Sequence, residues 1–97
     1  MTVVVRLRPE AQAEMDDAAD WYERQREGLG DEYLTEVERC LGRIGATPRA
    51  AIVWRDEIRR RHVDRFPYYV FYRVTPTYVD VVAIAHEKRR PGYFAAR

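Results

Sequence analysis

The sequence predicts an α+β domain in which an N-terminal helical hairpin packs on one face of a mostly antiparallel, twisted β-sheet. The first half carries two apolar stripes at helical spacing. The second half carries three extended runs rich in β-branched and aromatic residues, and glycine and proline separate these segments. The predicted order is β-α-α-β-β-β, with one more strand if an ambiguous segment after the second helix is also extended.

Short-range signals place the first strand and the first helix. Residues 3–7 are a β-branched run and predict a strand. Pro9 suits the first position of a helix, and apolar residues then recur at helical spacing through residues 10–27. Gly28 and Gly30 should end this helix. Its apolar stripe consists of Ala11, Met15, Ala18 and Tyr22.

The second helix is predicted to begin at Asp31 and Glu32 and to end before Gly45 and Pro48. Cys40 lies on its apolar stripe, so we expect a packed core thiol. Because the loop between the helices is short, they should form an antiparallel hairpin that buries both stripes on the sheet. The side chains expected at that interface are Met15, Tyr22, Val37, Leu41 and Ile44.

The sheet is predicted from three runs in the second half of the chain. They are residues 58–65, 69–74 and 78–85. Proline in the two intervening turns cannot continue a ladder. The run 78–85 is apolar on both faces and is therefore predicted to be the middle strand. Residues 50–55 fit either a short edge strand or a loop, and the face away from the helices should be partly open for a partner.

Composition indicates one domain over residues 1–97, with 46% hydrophobic residues to form its core. The single cysteine excludes an intramolecular disulfide. No apolar run approaches the roughly 20 residues of a membrane span, and the N-terminus does not resemble a signal peptide. We therefore expect a cytoplasmic protein with no membrane partner.

Charge is distributed unevenly along the chain. Residues 1–50 contain 7 arginines and 11 acidic residues, whereas residues 51–97 contain 9 arginines, 1 lysine and 5 acidic residues. The predicted helices are thus acidic and the predicted sheet is basic. Sixteen of the seventeen cations are arginines, which bind phosphate or carboxylate in a bidentate manner; an arginine-rich genome would give the same count.

No metal or cofactor site is predicted. His62 and His86 lie on different elements, and Cys40 lies on a core stripe, so no ligand set has usual spacing. The chain has no glycine-rich phosphate loop. The remaining candidate site is a group of basic and aromatic residues on the sheet and after its last strand. It consists of Arg59, Arg61, Arg65, Arg73, His86, Lys88, Arg89, Arg90 and Tyr93.

Three members of this group could catalyse RNA cleavage through attack by a 2′-hydroxyl. Arginine can stabilise the charge of the phosphorane, and histidine or a phenol with a lowered pKa can transfer the protons. His86, Arg65 and Tyr93 would fill these roles if they converge. The simpler interpretation is that each stabilises a turn, a strand end or the C-terminal tail.

Several motifs in the second half occur in the order and spacing of a known family. They are RRRHVDRFPYYVFYRV at residues 59–74, the pair Ala85-His86, and RPGYF at residues 90–94. With the short strand and two helices upstream, nearly the whole chain resembles toxins of the RelE/ParE superfamily, the plasmid-stabilisation type of bacterial type II toxin–antitoxin module.

The resemblance implies a growth-inhibiting toxin with three possible modes of action. A ParE-like member would bind DNA gyrase and block its cycle without being an enzyme. A RelE-like member would be a ribosome-dependent mRNA endoribonuclease, and an inactive toxin would only bind its antitoxin. RelE-like ribonucleases commonly place an arginine directly after an aromatic residue where this chain has Tyr69, and the ending from Arg90 to Phe94 looks more like the ParE branch. We therefore expect gyrase inhibition.

The resemblance also implies a cognate antitoxin, whose C-terminal segment folds on the toxin to form a hetero-oligomer. We expect it to dock on an exposed aromatic surface around Tyr69, Phe71 and Phe94. The target, gyrase or ribosome with mRNA, should meet the basic rim after the last strand. The cations expected to bind it are Arg61, Arg73, Lys88, Arg89 and Arg90.

Overall fold

Two helices and five strands form the protein in the predicted order. The computed structural model describes residues 2–90 and 92–97; Pro91, which belongs to the RPGYF motif, lies outside them. The elements are β1 (Val5–Leu7), α1 (Pro9–Gln25), α2 (Leu29–Ala46), β2 (Val53–Arg55), β3 (Ile58–His62), β4 (Tyr68–Val74) and β5 (Val79–His86). The ambiguous segment after α2 therefore contains a short edge strand.

The five strands form one mixed sheet in the order β1-β5-β4-β3-β2. β1 runs parallel to β5, and the other neighbours are antiparallel. The expectation that the run 78–85 lies in the middle is wrong, because β4 is the middle strand and β5 lies beside it. β5 is apolar on both sides because both faces of the sheet are covered along its length, which does not require a central position.

The hairpin of α1 and α2 packs on one face of the sheet, as predicted. Val37 and Ile44 are fully buried there, while Met15, Tyr22 and Leu41 are partly buried at the margin of the same core. The strands contribute alternating side chains to this hairpin core, since successive residues of a strand point to opposite faces. They include Val70, Tyr72, Val79, Val81 and Ile84.

The junction between the helices differs in detail from the prediction. α2 already begins at Leu29, so Gly30 lies inside it rather than ending α1. Gly28 takes a left-handed conformation, φ 86°, and the Glu23 carboxylate accepts hydrogen bonds from the backbone N–H groups of Gly28 and Gly30, both at 3.0 Å. A Cβ on Gly30 would come within 2.7 Å of the Ala19 carbonyl oxygen. The two helices can therefore approach so closely only with glycine at this position.

A second, smaller core covers the opposite face of the sheet. Residues 92–97, which we call the tail, turn back over β4 and β5 and insert the fully buried Phe94 against Phe71. A bulge in β5 enlarges this core, because Phe71 pairs with Ala83 and Tyr72 with Val81, leaving Val82 as an extra residue. The expectation of a partly open second face is therefore wrong where the tail lies.

Candidate functional site

The basic rim after β5 begins with a histidine held by backbone contacts. His86 pairs with Tyr68 at the last step of the β4–β5 ladder. Its Nδ1 accepts a hydrogen bond from the backbone N–H of Lys88 at 3.1 Å, and its carbonyl accepts one from Arg89 at 3.0 Å. Nδ1 is therefore an acceptor, and the proton of a neutral imidazole lies on Nε2. These contacts shape the turn that carries the rim.

The Tyr93 phenol is held in its protonated form, whereas the proposed catalysis needs a phenol that loses its proton easily. Its hydroxyl donates a hydrogen bond to the Glu14 carboxylate on α1. Burial, and then the hydrogen bond to Glu14, raise the pKa of Tyr93, despite the cations of Arg89 and Arg97 nearby. The expectation of a phenol with a lowered pKa is therefore wrong, because burial outweighs the neighbouring positive charge.

Arg65 lies in the turn between β3 and β4, and its side chain forms ion pairs with acidic residues of α2. Its guanidinium forms ion pairs with Glu32 at 2.8 Å and with Glu36 at 3.4 Å. The preceding residue, Asp64, pairs with Arg43 of α2 at 2.7 Å. The turn between β3 and β4 is thus fixed to the second helix, and Arg65 adopts a positive φ of 69° within it.

The three residues proposed for catalysis accordingly do not share one set of contacts. His86 and Tyr93 line the same small cavity together with Arg89. The contacts of Arg65 run instead to α2 and to the Phe66 ring. The sequence could not reveal this division, since Glu32 and Arg65 are 33 residues apart.

The five cations expected to bind the target are also divided. Lys88, Arg89 and Arg90 are exposed and adjacent at the rim. Arg73 lies opposite Asp80 in the β4–β5 ladder, near the other end of the sheet. It is five residues along β4 from the rim, or about 17 Å at strand spacing. Arg61 lies opposite Val70 in the β3–β4 ladder, on the face of the sheet that the hairpin covers. The five cations therefore do not form one group: Lys88, Arg89 and Arg90 lie together at the rim, whereas Arg61 and Arg73 lie on β3 and β4. Target binding by any of them stays a prediction.

The surface expected to bind the antitoxin is mostly covered. Phe94 is 1% exposed and Phe71 is 4% exposed, with their ring centroids 4.8 Å apart. Trp54 packs against both rings. The expectation of exposure is wrong for these two residues, because the tail itself fills the space. Tyr69 is partly exposed, and the guanidinium of Arg60 lies 4.5 Å from its ring centre.

Sequence reasoning missed an aromatic groove between α1 and the rim ends of β4 and β5. Two adjoining hollows of about 280 and 410 Å³ share Trp21, Tyr68 and His86 in their walls. Trp21 is 51% exposed and precedes Tyr22, which lies on the core stripe. A tryptophan just off the apolar stripe of an amphipathic helix was the available signal for this surface.

Glu14 was missed as well. This α1 carboxylate contacts four groups, including the Tyr93 hydroxyl and the Arg97 guanidinium, the latter at 2.8 Å. In the sequence it looks like one more acid near the start of a helix.

Two kinds of feature are absent from the described part of the chain. Among residues 2–90 and 92–97, no group of three histidine, cysteine or acidic side chains is placed to hold a metal ion. Within the same described part of the chain, no helix is long and apolar enough to cross a membrane.

Comparison with known proteins identifies the family. Residues 5–91 match the family described as the ParE toxin of the type II toxin–antitoxin system parDE. Toxin ParE1 from two strains of Mycobacterium tuberculosis is 34% identical over 86 residues, covering 84% of this chain and 87% of the relative. A chain of the chromosomal ParDE system from P. aeruginosa has the same fold, with a TM-score of 0.66 at 14% identity, covering 88% of this chain and 96% of that one.

The fold and these matches define the class of protein as the toxin component of a bacterial type II toxin–antitoxin module. Within that class, the chain belongs to the ParE toxin family. Membership also implies an antitoxin partner.

Proposed function

We propose that this toxin inhibits DNA gyrase by binding it through the basic rim, Lys88 to Arg90, without acting as an enzyme. The observation that carries the proposal is that the rim cations are exposed and only weakly paired with acidic groups. Within the described residues, Lys88 and Arg90 are exposed and have no acidic partner, and Arg89 lies 3.8 Å from the nearest carboxylate. The end of the sheet thus presents three adjacent cations to an anionic surface, two without an acidic partner and one, Arg89, held beside Glu14 and Tyr93.

The contacts of His86, Arg65 and Tyr93, the residues considered for RNA cleavage, support binding rather than catalysis. A general base needs a free acceptor, and a nucleophilic or acidic phenol needs a pKa near the working pH. Here His86 Nδ1 is occupied by the Lys88 N–H, and the pKa of Tyr93 is raised. Arg65, which would stabilise the transition state, is neutralised by Glu32 and Glu36.

The test is inhibition of DNA supercoiling by purified gyrase. The variant Arg89→Glu with Arg90→Glu should lose inhibition, because it reverses the charge of the rim. A matched control, Arg24→Glu with Arg49→Glu, makes the same change in net charge at two exposed positions elsewhere and should inhibit as the wild type does. Equal inhibition by both variants would contradict the proposed surface.

Expression in growing bacteria separates the three possible modes of action. Gyrase inhibition should damage DNA and induce the SOS response, and His86→Ala should weaken toxicity without abolishing it, because it loosens the turn that carries the rim but leaves the three cations. Rapid translation arrest with cleaved messages, abolished by His86→Ala, would instead establish the ribonuclease. A wild-type toxin that binds its antitoxin yet leaves growth unchanged would be an inactive member. Since gyrase and ribosomes both work in the cytoplasm, we propose that compartment.

We also propose that the antitoxin docks in the aromatic groove at Trp21. Tyr69, Phe71 and Phe94 remain a prediction from the resemblance, but binding at Phe71 and Phe94 would first have to displace the tail. The groove offers exposed apolar surface in the folded toxin, and aromatic side chains often dominate interface energetics. Titration calorimetry should show that Trp21→Ala weakens antitoxin binding by at least about tenfold, with a negative heat-capacity change for the wild type. If Tyr69→Ala weakens binding and Trp21→Ala does not, the sequence-predicted surface is the correct one.

A further inference from the structure

Glu14 is the point at which helix α1, strand β5 and the tail meet. Its Oε1 accepts hydrogen bonds from the backbone N–H of Ile84 at 3.2 Å and from the Arg97 guanidinium at 2.8 Å. Its Oε2 accepts one from the Tyr93 hydroxyl and lies 3.8 Å from an Arg89 nitrogen. The side chain is only 14% exposed. Three hydrogen-bond donors and one further guanidinium, from three parts of the chain, thus converge on one carboxylate.

This carboxylate occupies an edge of β5 that has no strand beside it. β1 pairs with β5 only as far as Val81, so the following backbone groups on that side need other partners. The N–H of Ile84 donates to Glu14, and the carbonyl of Val82 accepts from Arg97. Glu14 and Arg97 together therefore replace the missing strand and protect the edge from other pairing.

The same contacts fix the rim. The Arg89 guanidinium lies 3.7 Å from the centre of the Tyr93 ring, and Tyr93 is fixed in turn by Glu14. The Arg97 guanidinium lies 5.2 Å from the same ring centre. Only two backbone hydrogen bonds join residues within the tail, Ala95 N–H to the Gly92 carbonyl and Arg97 N–H to the Phe94 carbonyl. The contacts that attach the tail to the rest of the fold are those to Glu14, the hydrogen bond from Arg97 to the Val82 carbonyl, and the buried Phe94.

We propose that Glu14 is a positioning residue that holds the tail and Arg89 in place and thereby sets the affinity of the basic rim for its target. This inference rests on the proposed function for its effect on activity. The other half of the inference, that Glu14 fixes the tail, can be tested on the isolated toxin without any target. Removing the carboxylate leaves the Ile84 N–H and two arginines without their acceptor, and groups of this kind are costly to leave unpaired in a partly buried site. The tail should then detach from the edge of β5.

The experiment compares Glu14→Gln and Glu14→Ala with the matched control Asp20→Asn. Asp20 lies on the same helix and is exposed, and its carboxylate makes no hydrogen bond or ion pair among the described residues. Amide hydrogen exchange should become at least about tenfold faster at Ile84, Ala95 and Arg97 in Glu14→Ala, and less so in Glu14→Gln, which keeps one oxygen acceptor. Exchange of the central β4 amides should not change. Asp20→Asn should match the wild type throughout.

The activity arm uses the same proteins in the gyrase assay. Glu14→Ala should inhibit at least about tenfold more weakly than the wild type, with Asp20→Asn unaffected. Adding Glu14→Ala to Tyr93→Phe with Arg97→Ala should have little further effect, because these changes disrupt one shared unit. If Glu14→Ala does not fold, Glu14→Gln carries both measurements.

The outcomes distinguish this inference from the proposed target. A wild-type toxin that fails to inhibit gyrase would overturn the target, and amide exchange would then decide alone whether Glu14 fixes the tail. Unchanged exchange at Ile84, Ala95 and Arg97 would overturn the positioning role. Faster exchange with undiminished inhibition, in a wild type that inhibits, would overturn the link between the tail and the rim.

Discussion

Two tyrosines of the hairpin core are equally buried but differ in what their hydroxyl groups contact. Tyr72 and Tyr33 are both 0% exposed. The Tyr72 hydroxyl donates a hydrogen bond to the Pro48 carbonyl at 2.7 Å. The Tyr33 hydroxyl has no partner among residues 2–90 and 92–97, although its ring packs against Tyr22, Phe66 and Tyr68.

This difference predicts opposite effects for the same substitution. Tyr33→Phe should raise the free energy of unfolding by about 1 kcal/mol, because it removes a buried polar atom without a partner. Tyr72→Phe should lower it by about 1 kcal/mol, since it leaves the Pro48 carbonyl unpaired. Urea unfolding measures both. A loss of stability in Tyr33→Phe would mean that the hydroxyl has a partner in solution, such as an ordered water.

At the scale of the helices and strands, the distance between α1 and α2 at their junction depends on a glycine. Gly30 lies in the first turn of α2 against the Ala19 carbonyl, whereas nothing lies within 4 Å of the Cβ position of Gly42 in the same helix. The two glycines therefore lie in the same helix but have different surroundings.

Alanine at these two positions should act in opposite directions. Gly42→Ala should stabilise the protein by up to about 1 kcal/mol, because alanine has the higher helix propensity. Gly30→Ala should destabilise it by about 1–3 kcal/mol, since the added carbon would force the helices apart. Thermal unfolding of the two variants beside the wild type decides this, and equal midpoints would mean that the junction relaxes without cost.

Element order was predictable from the sequence because it depends on local signals. The helical spacing of Val37 and Ile44 and the prolines of the strand turns act within a few residues. The strand order was not predictable, because β1 pairs with a strand more than 70 positions away. The cover over the second face was missed for the same reason, since nothing near Phe94 in the sequence indicates that it packs against Phe71.

The candidate site was predictable only in part. Residues 88–90 are adjacent in sequence and so remain adjacent in the fold. The roles of Arg65, Tyr93 and Glu14 depend on partners from distant elements, and the sequence contains no sign of them. A pattern of residue types thus located the rim but not the contacts that position it.

At the scale of the whole molecule, ion pairs join the acidic hairpin to the basic second half of the chain. Arg65 pairs with Glu32, Asp64 with Arg43, and Arg97 with Glu14. Most of these groups are partly exposed, so each pair contributes little by itself. The uneven charge of the sequence is therefore used in part for ion pairs between the two halves of the fold.

Alkaline pH should destabilise the whole molecule. Burial raises the pKa of five tyrosines, Tyr22, Tyr33, Tyr68, Tyr72 and Tyr93. In the unfolded chain these groups ionise near pH 10, so above that pH the folded state binds more protons than the unfolded state. The stability linked to them is fully present below about pH 10 and is lost as pH rises further.

Urea unfolding at pH 8, 9.5 and 10.5, with tyrosinate absorbance recorded in parallel, measures this loss. Each raised group can contribute up to about 1.4 kcal/mol per pH unit above pH 10. Tyr93→Phe and Tyr33→Phe should give shallower decreases than the wild type. A free energy of unfolding that stays constant to pH 10.5 would contradict the burial of these phenols.

The parallel pairing of β1 with β5 also determines when the fold can be completed on the ribosome. Val5 pairs in the sheet with Val79, which is translated 74 positions after it. The nascent chain can form its helices early, but the sheet that covers them closes only after β5 has been made. Contacts so distant in sequence slow folding. We therefore expect the sheet of this toxin to close only after translation has passed His86.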